Sequence, residues 1–106
     1  MNYRNILIEK IRKLVDGIWT VPDFMKEYYD YYLEQVPGGA LSESENTFFG
    51  LVQEKLDWVT ENPDQEDKKD GYIDYPEYIA WLRHSLEKFI ENEDEWYQKY
   101  LESRKV

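Results

Sequence analysis

The sequence predicts an all-α protein, a small antiparallel four-helix bundle with a long or broken C-terminal helix. Apolar residues return at intervals of three and four along almost the whole chain, and no strand-like alternation competes with that period. Short breaks rich in Gly, Pro or charged residues separate the helical stretches. The chain has 106 residues, 42% of them hydrophobic, which suits one domain with one core. We expect residues 1–106 to form a single helical domain, with residues 92–106 as a C-terminal helical extension.

The first two predicted helices have recognisable ends. The first runs from about Tyr3 to Asp16 and stops at Gly17, because glycine readily leaves the helical conformation. The second follows the capping residue Thr20 and carries Pro22 in its first turn, where no amide donor is missed. Pro37 and the two glycines after it end this helix. The predicted core positions are Tyr3, Leu7, Ile11, Leu14, Ile18, Phe24, Tyr28 and Tyr31.

The third and fourth predicted helices begin with similar capping signals. Ser42, with Glu45 three residues later, caps a third helix that we expect to reach about Glu61. Residues 64–70 are all polar or charged and are predicted to form a solvated loop. Asp74 caps the fourth helix, which passes through an acidic stretch near residue 91 and then resumes an aromatic pattern. The predicted core positions are Phe48, Val52, Leu56, Val59, Tyr78, Leu82, Leu86 and Phe89.

The composition disfavours several classes of function. The 13 basic and 23 acidic residues give a formal net charge of −10, which disfavours nucleic acid and membrane surfaces as direct partners and favours a basic protein. The lack of cysteine excludes disulfides, thiolate metal sites and cysteine nucleophiles. No apolar run approaches the roughly 18 residues of a membrane span, and the N-terminus lacks the pattern of a secretory signal. We expect a cytoplasmic protein.

Nucleophilic catalysis has little support in this sequence. The only histidine, His84, lies between core positions of the fourth helix and is predicted to be a surface residue. No Ser or Thr belongs to a recognisable nucleophile motif, and no glycine-rich phosphate loop is present. Pairs of carboxylates carry no weight in a chain with 23 acidic residues. We therefore predict that the protein is not an enzyme and uses no cofactor.

One segment, Glu66–Glu77, has the length of a helix-loop-helix calcium loop. Asp70 and Ile73 fall where such a loop requires them. Lys68, however, occupies a position that needs an oxygen ligand, and its ammonium group would repel the ion. A turn followed by the Asp74 helix cap explains the same residues. We predict no metal site, and a calcium-binding module is kept as an alternative.

The negative charge is concentrated in the middle of the chain. Residues 1–20 hold four basic and two acidic side chains, whereas residues 21–82 hold four basic and 15 acidic ones. Like charges at this density oppose folding, and aromatic residues beside carboxylates are typical of a surface that contacts a cationic groove. The sequence therefore predicts a partner-binding site here. Its residues are Asp57, Trp58, Glu61, Asp64, Asp67, Asp70, Tyr72, Asp74 and Glu77.

Several short stretches carry a resemblance to a known family. In order, they are Leu14-Val15-Asp16-Gly17-Ile18, a capped helix entered through Phe24, the Leu41–Asp57 helix with Phe48-Phe49, Glu61-Asn62-Pro63-Asp64, and Tyr72-Ile73-Asp74. Their order and spacing resemble the bacterial immunity proteins of the colicin D type, small acidic helical bundles that neutralise a tRNA-cleaving toxin. The resemblance covers about residues 14–89 and leaves out residues 92–106.

The resemblance implies inhibition by occlusion. Toxins of such systems, whether bacteriocins or contact-delivered effectors, bind tRNA in a basic cleft, and the immunity protein places carboxylates where RNA phosphates would lie. It also implies that Asp67 and Asp70 are rim charges that mainly raise the association rate. Lys68 and Lys69 interrupt the acidic surface. The implied contact residues are Asp57, Glu61, Asp64, Tyr72 and Asp74.

A generic helical adaptor is a further alternative. It would rely on the apolar surplus of the second and last helices rather than on charge, so its affinity would survive high salt. The same surplus of aromatic residues could also support a homodimer. The residues concerned are Tyr28, Tyr29, Tyr31, Tyr32 and Trp96.

Overall fold

The computed structural model describes residues 2–104, and over this range the protein is all-helical, as predicted, with no β-strand. One isolated parallel bridge pairs Val59 with Ile73. The helices are α1 (Tyr3–Val15), α2 (Val21–Asp30) with a π-helical continuation (Tyr31–Gln35), α3 (Glu43–Leu56), α4 (Gln65–Lys69), α5 (Tyr75–Glu91) and α6 (Glu93–Ser103). The last two residues of the predicted C-terminal extension lie outside the described range.

The predicted caps are confirmed. Thr20 and Ser42 each accept a hydrogen bond from the backbone N–H three residues later, and an acidic side chain at that position bonds back to the cap amide. Asp74 accepts the N–H of Glu77 at 2.8 Å. The C-terminal helix is broken rather than long, because Asn92 is extended (φ −157°, ψ 92°) and caps α6 by accepting the N–H of Glu95.

One predicted helix end and one predicted loop are wrong. The third helix ends at Leu56 instead of near Glu61. The amides of Asp57, Trp58 and Val59 donate to the carbonyls three residues before them, which tightens the last turn, and the chain then forms the Val59–Ile73 bridge. Residues 64–70 are not a loop throughout. They contain α4, since Asp64 caps it through a reciprocal pair of hydrogen bonds with Asp67.

One face of each of α1, α2, α3 and α5 packs into the core. The prediction that Ile18 is a core residue is wrong, since its side chain is 69% exposed. Gly17 has φ +81°, so the chain leaves the helical path before Ile18 and the apolar stripe does not continue. Tyr3, Tyr31 and Val59 are only half-buried. The buried side chains are Leu7, Ile11, Leu14, Val15, Val21, Phe24, Tyr28, Leu41, Phe48, Phe49, Val52, Leu56, Tyr78, Leu82, Leu86 and Phe89.

Helix α6 is attached to this core through Trp96 and a charged contact. The indole of Trp96 packs edge-on against Phe48 and Phe89, with ring centroids 5.2 and 5.4 Å away. Arg4 of α1 pairs with Glu45 at 3.1 Å and with Glu93 at 2.5 Å, which joins the starts of α1, α3 and α6. None of the helices between residues 2 and 104 combines the length and apolar character needed to cross a bilayer.

Candidate functional site

The predicted site lies in residues 57–77, hereafter the acidic segment. Backbone hydrogen bonds hold the two ends of this segment together. The amide of Ile73 donates to the carbonyl of Trp58 at 2.9 Å, and the amide of Thr60 donates to the carbonyl of Ile73 at 3.0 Å. These two bonds surround the Val59–Ile73 bridge. Val59, three residues after the end of α3, and Ile73, two residues before the start of α5, are thereby held side by side, and α4 lies between them in the sequence.

The bridge brings together the two aromatic residues of the predicted site. The rings of Trp58 and Tyr72 lie 5.3 Å apart at an interplanar angle of 55°. Trp58 is 45% exposed, whereas Tyr72 is half-buried. Gly71 turns the chain into Tyr72 with φ +99°, a conformation that residues with a side chain rarely adopt. The result is a surface aromatic pair, and exposed Trp and Tyr rings of this kind are frequent anchors of protein interfaces.

Several carboxylates of the site also have structural roles. Asp64 and Asp67 accept each other's backbone N–H at 2.8 and 3.1 Å, and Asp74 caps α5. Asp70 ends α4 as its C-cap residue. Each capping carboxylate retains a second oxygen for other partners. Capping and partner binding can therefore be separated by an amide substitution, which keeps the cap but removes the charge.

Asp57 has a partner that the sequence did not predict. The hydroxyl of Tyr29 in α2 donates to its Oδ1, and this hydrogen bond, followed by burial, raises the pKa of Tyr29. The contact holds the Asp57 carboxylate at the end of α3, beside the exposed Trp58. Spacing along the sequence could not reveal it, since 28 positions separate the two residues.

The carboxylates of the acidic segment are not neutralised within the described part of the chain. Ion pairs between residues 2 and 104 involve Glu45, Glu91, Glu93 and Glu95, all outside the segment. Glu61, Asp70 and Glu77 are exposed, and no hydrogen bond joins their side chains to another described residue. Lys68 and Lys69 lie in the last turn of α4. The segment that holds the aromatic pair therefore presents negative charge to solvent.

The structure does not form the loop that the calcium alternative requires. Most of the first half of Glu66–Glu77 belongs to the short helix α4, and the second half enters the bridge and then α5. Over residues 2–104, no group of three or more His, Cys, Asp or Glu side chains is arranged to hold a metal ion. His84 lies exposed on α5, as the sequence predicts.

Trp81 is the residue near the site that sequence analysis missed. It contributes to a groove of about 320 Å³ whose lining also includes Trp58, and the ammonium group of Lys55 lies 4.8 Å from the centroid of its ring. Helical spacing places Trp81 next to the core position Leu82, so the pattern gave no sign that its ring reaches the surface beside Trp58.

No known protein-family model matches this sequence, and no solved structure matches this fold.

Proposed function

We propose that the protein is an immunity protein of the colicin D type, which binds a cognate tRNA-cleaving toxin and blocks its basic cleft with the acidic segment. One observation supports this above the others: the exposed ring of Trp58, paired with Tyr72, belongs to a segment whose carboxylates have no ion-pair partner among residues 2–104. In this proposal the protein has no catalytic role. It acts in the cytoplasm, where tRNA is found.

Electrostatics explains why such a surface would select a nuclease. A cleft that binds RNA must carry a positive potential, and the same potential attracts a surface of closely spaced carboxylates. Steering of this kind raises the association rate and weakens steeply with ionic strength. The aromatic pair would then supply the contact area that slows dissociation, since Trp and Tyr are common interface hot spots.

We also propose that α1, α2, α3 and α5 form a four-helix bundle to which α4 and α6 are added. Support comes from the pairs that pack together: α1 with α2, α2 with α3, α3 with α5, and α5 with α1 form a closed ring of four neighbours. Helix α6 packs against α3 and α5, and none of its residues is fully buried. The short connections between α1 and α2 and between the continuation of α2 and α3 suit an antiparallel arrangement of these neighbours.

The adaptor alternative is less well supported, because its aromatic residues are used inside the protein. Tyr28 is buried and donates to the carbonyl of Phe49 at 2.8 Å, and Tyr32 stacks on it with centroids 5.8 Å apart. Trp96 packs in the aromatic cluster with Phe48 and Phe89. The surplus of these rings is therefore accounted for by packing.

The test uses a nuclease domain encoded by a neighbouring reading frame, with survival of co-expressing cells and the association rate as readouts. The triple variant Asp57→Asn, Asp64→Asn and Asp74→Asn removes three charges but keeps the capping geometry. We expect it to lose protection and to associate at least about tenfold more slowly at low salt.

The matched control removes the same charge elsewhere. Its changes, at exposed positions outside the acidic segment, are Glu9→Gln, Glu34→Gln and Glu87→Gln. This control should protect cells almost as well as the unaltered protein. Equal protection by both triple variants would refute the proposed surface, and a failure of the unaltered protein to protect would refute the proposed function.

A further inference from the structure

We propose that the groove beside the acidic segment receives an arginine side chain of the partner, stacked between Trp58 and Trp81. The inference rests on the proposed function only for the identity of the partner, a basic protein. The groove has a volume of about 320 Å³, and three of its side chains are aromatic. It is lined by Leu51, Glu54, Lys55, Trp58, Trp81 and Tyr100.

The position of the groove connects it to the proposed binding surface. Trp58 belongs to both, since it faces Tyr72 of the acidic segment and also lines the groove. Asp57, the neighbouring residue, lines a second depression that shares Leu51, Glu54 and Tyr100 with the first. A partner seated on the acidic segment would therefore cover the groove as well.

The chemistry of the groove suits a planar cation. The Nζ of Lys55 lies 4.8 Å from the ring centroid of Trp81, and the guanidinium carbon of Arg104 lies 5.6 Å from that of Tyr100, so two rings of the groove already attract cations of this chain. Trp58 has no cation of this kind over its ring among residues 2–104, although it is 45% exposed.

Arginine fits this arrangement better than lysine. Its flat guanidinium group stacks on indole rings and can donate hydrogen bonds in its own plane, for which the carboxylate of Glu54 at the groove wall is a suitable acceptor. Glu54 forms no ion pair with another residue between 2 and 104. The strong negative charge of the chain adds to the attraction.

Indole N–H resonances of the four tryptophans provide a test that needs no toxin. The full chain is titrated with a capped Gly-Arg-Gly-Arg-Gly peptide, and the resonances are assigned with single Trp→Phe variants. We expect Trp58 and Trp81 to shift and saturate. Trp19, which contacts Lys10 and Lys13, and Trp96, which lies against Phe48 and Phe89, serve as internal controls and should not move.

Two further peptides and one variant sharpen the test. A citrulline peptide lacks the charge and should not bind, and a lysine peptide of equal charge should bind at least about threefold more weakly. Lys55→Met removes the internal competitor while keeping an apolar stem, and it should tighten binding of the arginine peptide about threefold. Uniform shifts of all four indoles, equal shifts with the lysine peptide, or no response at Trp58 and Trp81 would each overturn the inference.

The outcomes separate this inference from the proposed function. If the arginine peptide binds as expected but no neighbouring toxin is neutralised, the groove assignment stands and the proposed function fails. If the toxin is neutralised while Trp58 and Trp81 do not respond, the proposed function stands and the groove assignment fails.

Discussion

The backbone amide of Ile73 donates a hydrogen bond of 2.9 Å to the carbonyl oxygen of Trp58. Through this bond, the end of α3 and the start of α5 hold the exposed Trp58 ring against Tyr72. The proposed binding surface therefore depends on one short backbone pairing.

Replacing Ile73 with Pro should open this pairing, because proline has no N–H to donate. We expect the amide of Thr60, which donates to the carbonyl of Ile73, to exchange with solvent much faster. The free energy of unfolding should fall by about 1–3 kcal/mol, as for a lost hydrogen bond at a partly buried site. Hydrogen exchange and urea denaturation measure the two effects. Ile73→Val keeps the amide and is the control; equal exchange in both variants would contradict the assigned role of the bridge.

Arg4 should matter more than any other paired cation among residues 2–104. Its guanidinium contacts Glu45 and Glu93, and its side chain is only 29% exposed. Arg4→Met leaves both carboxylates without this partner, and we expect a loss of about 1–2 kcal/mol in the free energy of unfolding. Lys99→Met breaks an exposed pair with Glu95 and should have no measurable effect.

The ion pairs of Arg4 with Glu45 and Glu93 also predict that the stability of the protein falls at acidic pH. Burial acts to raise the pKa of Glu45, but hydrogen bonds from the Ser42 amide and from Arg4 outweigh it, so the pKa is lowered from its ordinary value of 4.5. Because the folded-state pKa lies below the unfolded one, this stability is present above the unfolded pKa and is lost as the pH falls through the folded one. Acid titrations of the unfolding midpoint should therefore show a smaller loss in Arg4→Met than in the unaltered protein.

Two buried tyrosines should make the protein sensitive to alkali. Tyr28 and Tyr78 donate to the carbonyls of Phe49 and Val52, and burial raises the pKa of both phenols well above 10.0. In the unfolded chain these phenols lose their protons first, so stability is complete below about pH 10 and declines as the pH rises through the folded pKa.

Phenylalanine at either tyrosine tests the alkaline transition. Tyr78→Phe should cost about 1 kcal/mol at neutral pH through the lost hydrogen bond, but it should reduce the alkaline decline because one ionisable phenol is gone. Urea denaturation followed by circular dichroism at a series of pH values measures both. An unchanged decline in the double variant with Tyr28→Phe would contradict the linkage.

The turn at Gly71 should not tolerate a side chain. Its φ of +99° strains any other residue, although a Cβ there would lie 4.0 Å from the Trp58 ring, which is ordinary contact. Gly71→Ala should therefore destabilise the protein by about 1 kcal/mol through the backbone alone. Gly38→Ala, in open space and without positive φ, should be close to neutral. Thermal unfolding of the two variants checks the difference.

The helical class, the caps at Thr20, Ser42 and Asp74, and 12 of the 16 buried core residues could be predicted from the sequence. These features depend on residues within one or two turns of each other, where capping hydrogen bonds and the helical period act directly. The sequence also indicated which segment carries the negative charge, because the acidic residues can be located along the chain directly. The break in the C-terminal helix was one of two predicted forms.

The shape of the acidic segment depends on tertiary contacts. The Val59–Ile73 bridge, the contact of Tyr29 with Asp57 and the groove that Trp58 and Trp81 both line all join residues far apart in the sequence. No local period encodes such contacts, because they depend on how whole helices pack. The exposure of Ile18, in contrast, has a local cause: Gly17 turns the chain out of the helical path, so an apolar residue that the pattern assigned to the core lies in solvent.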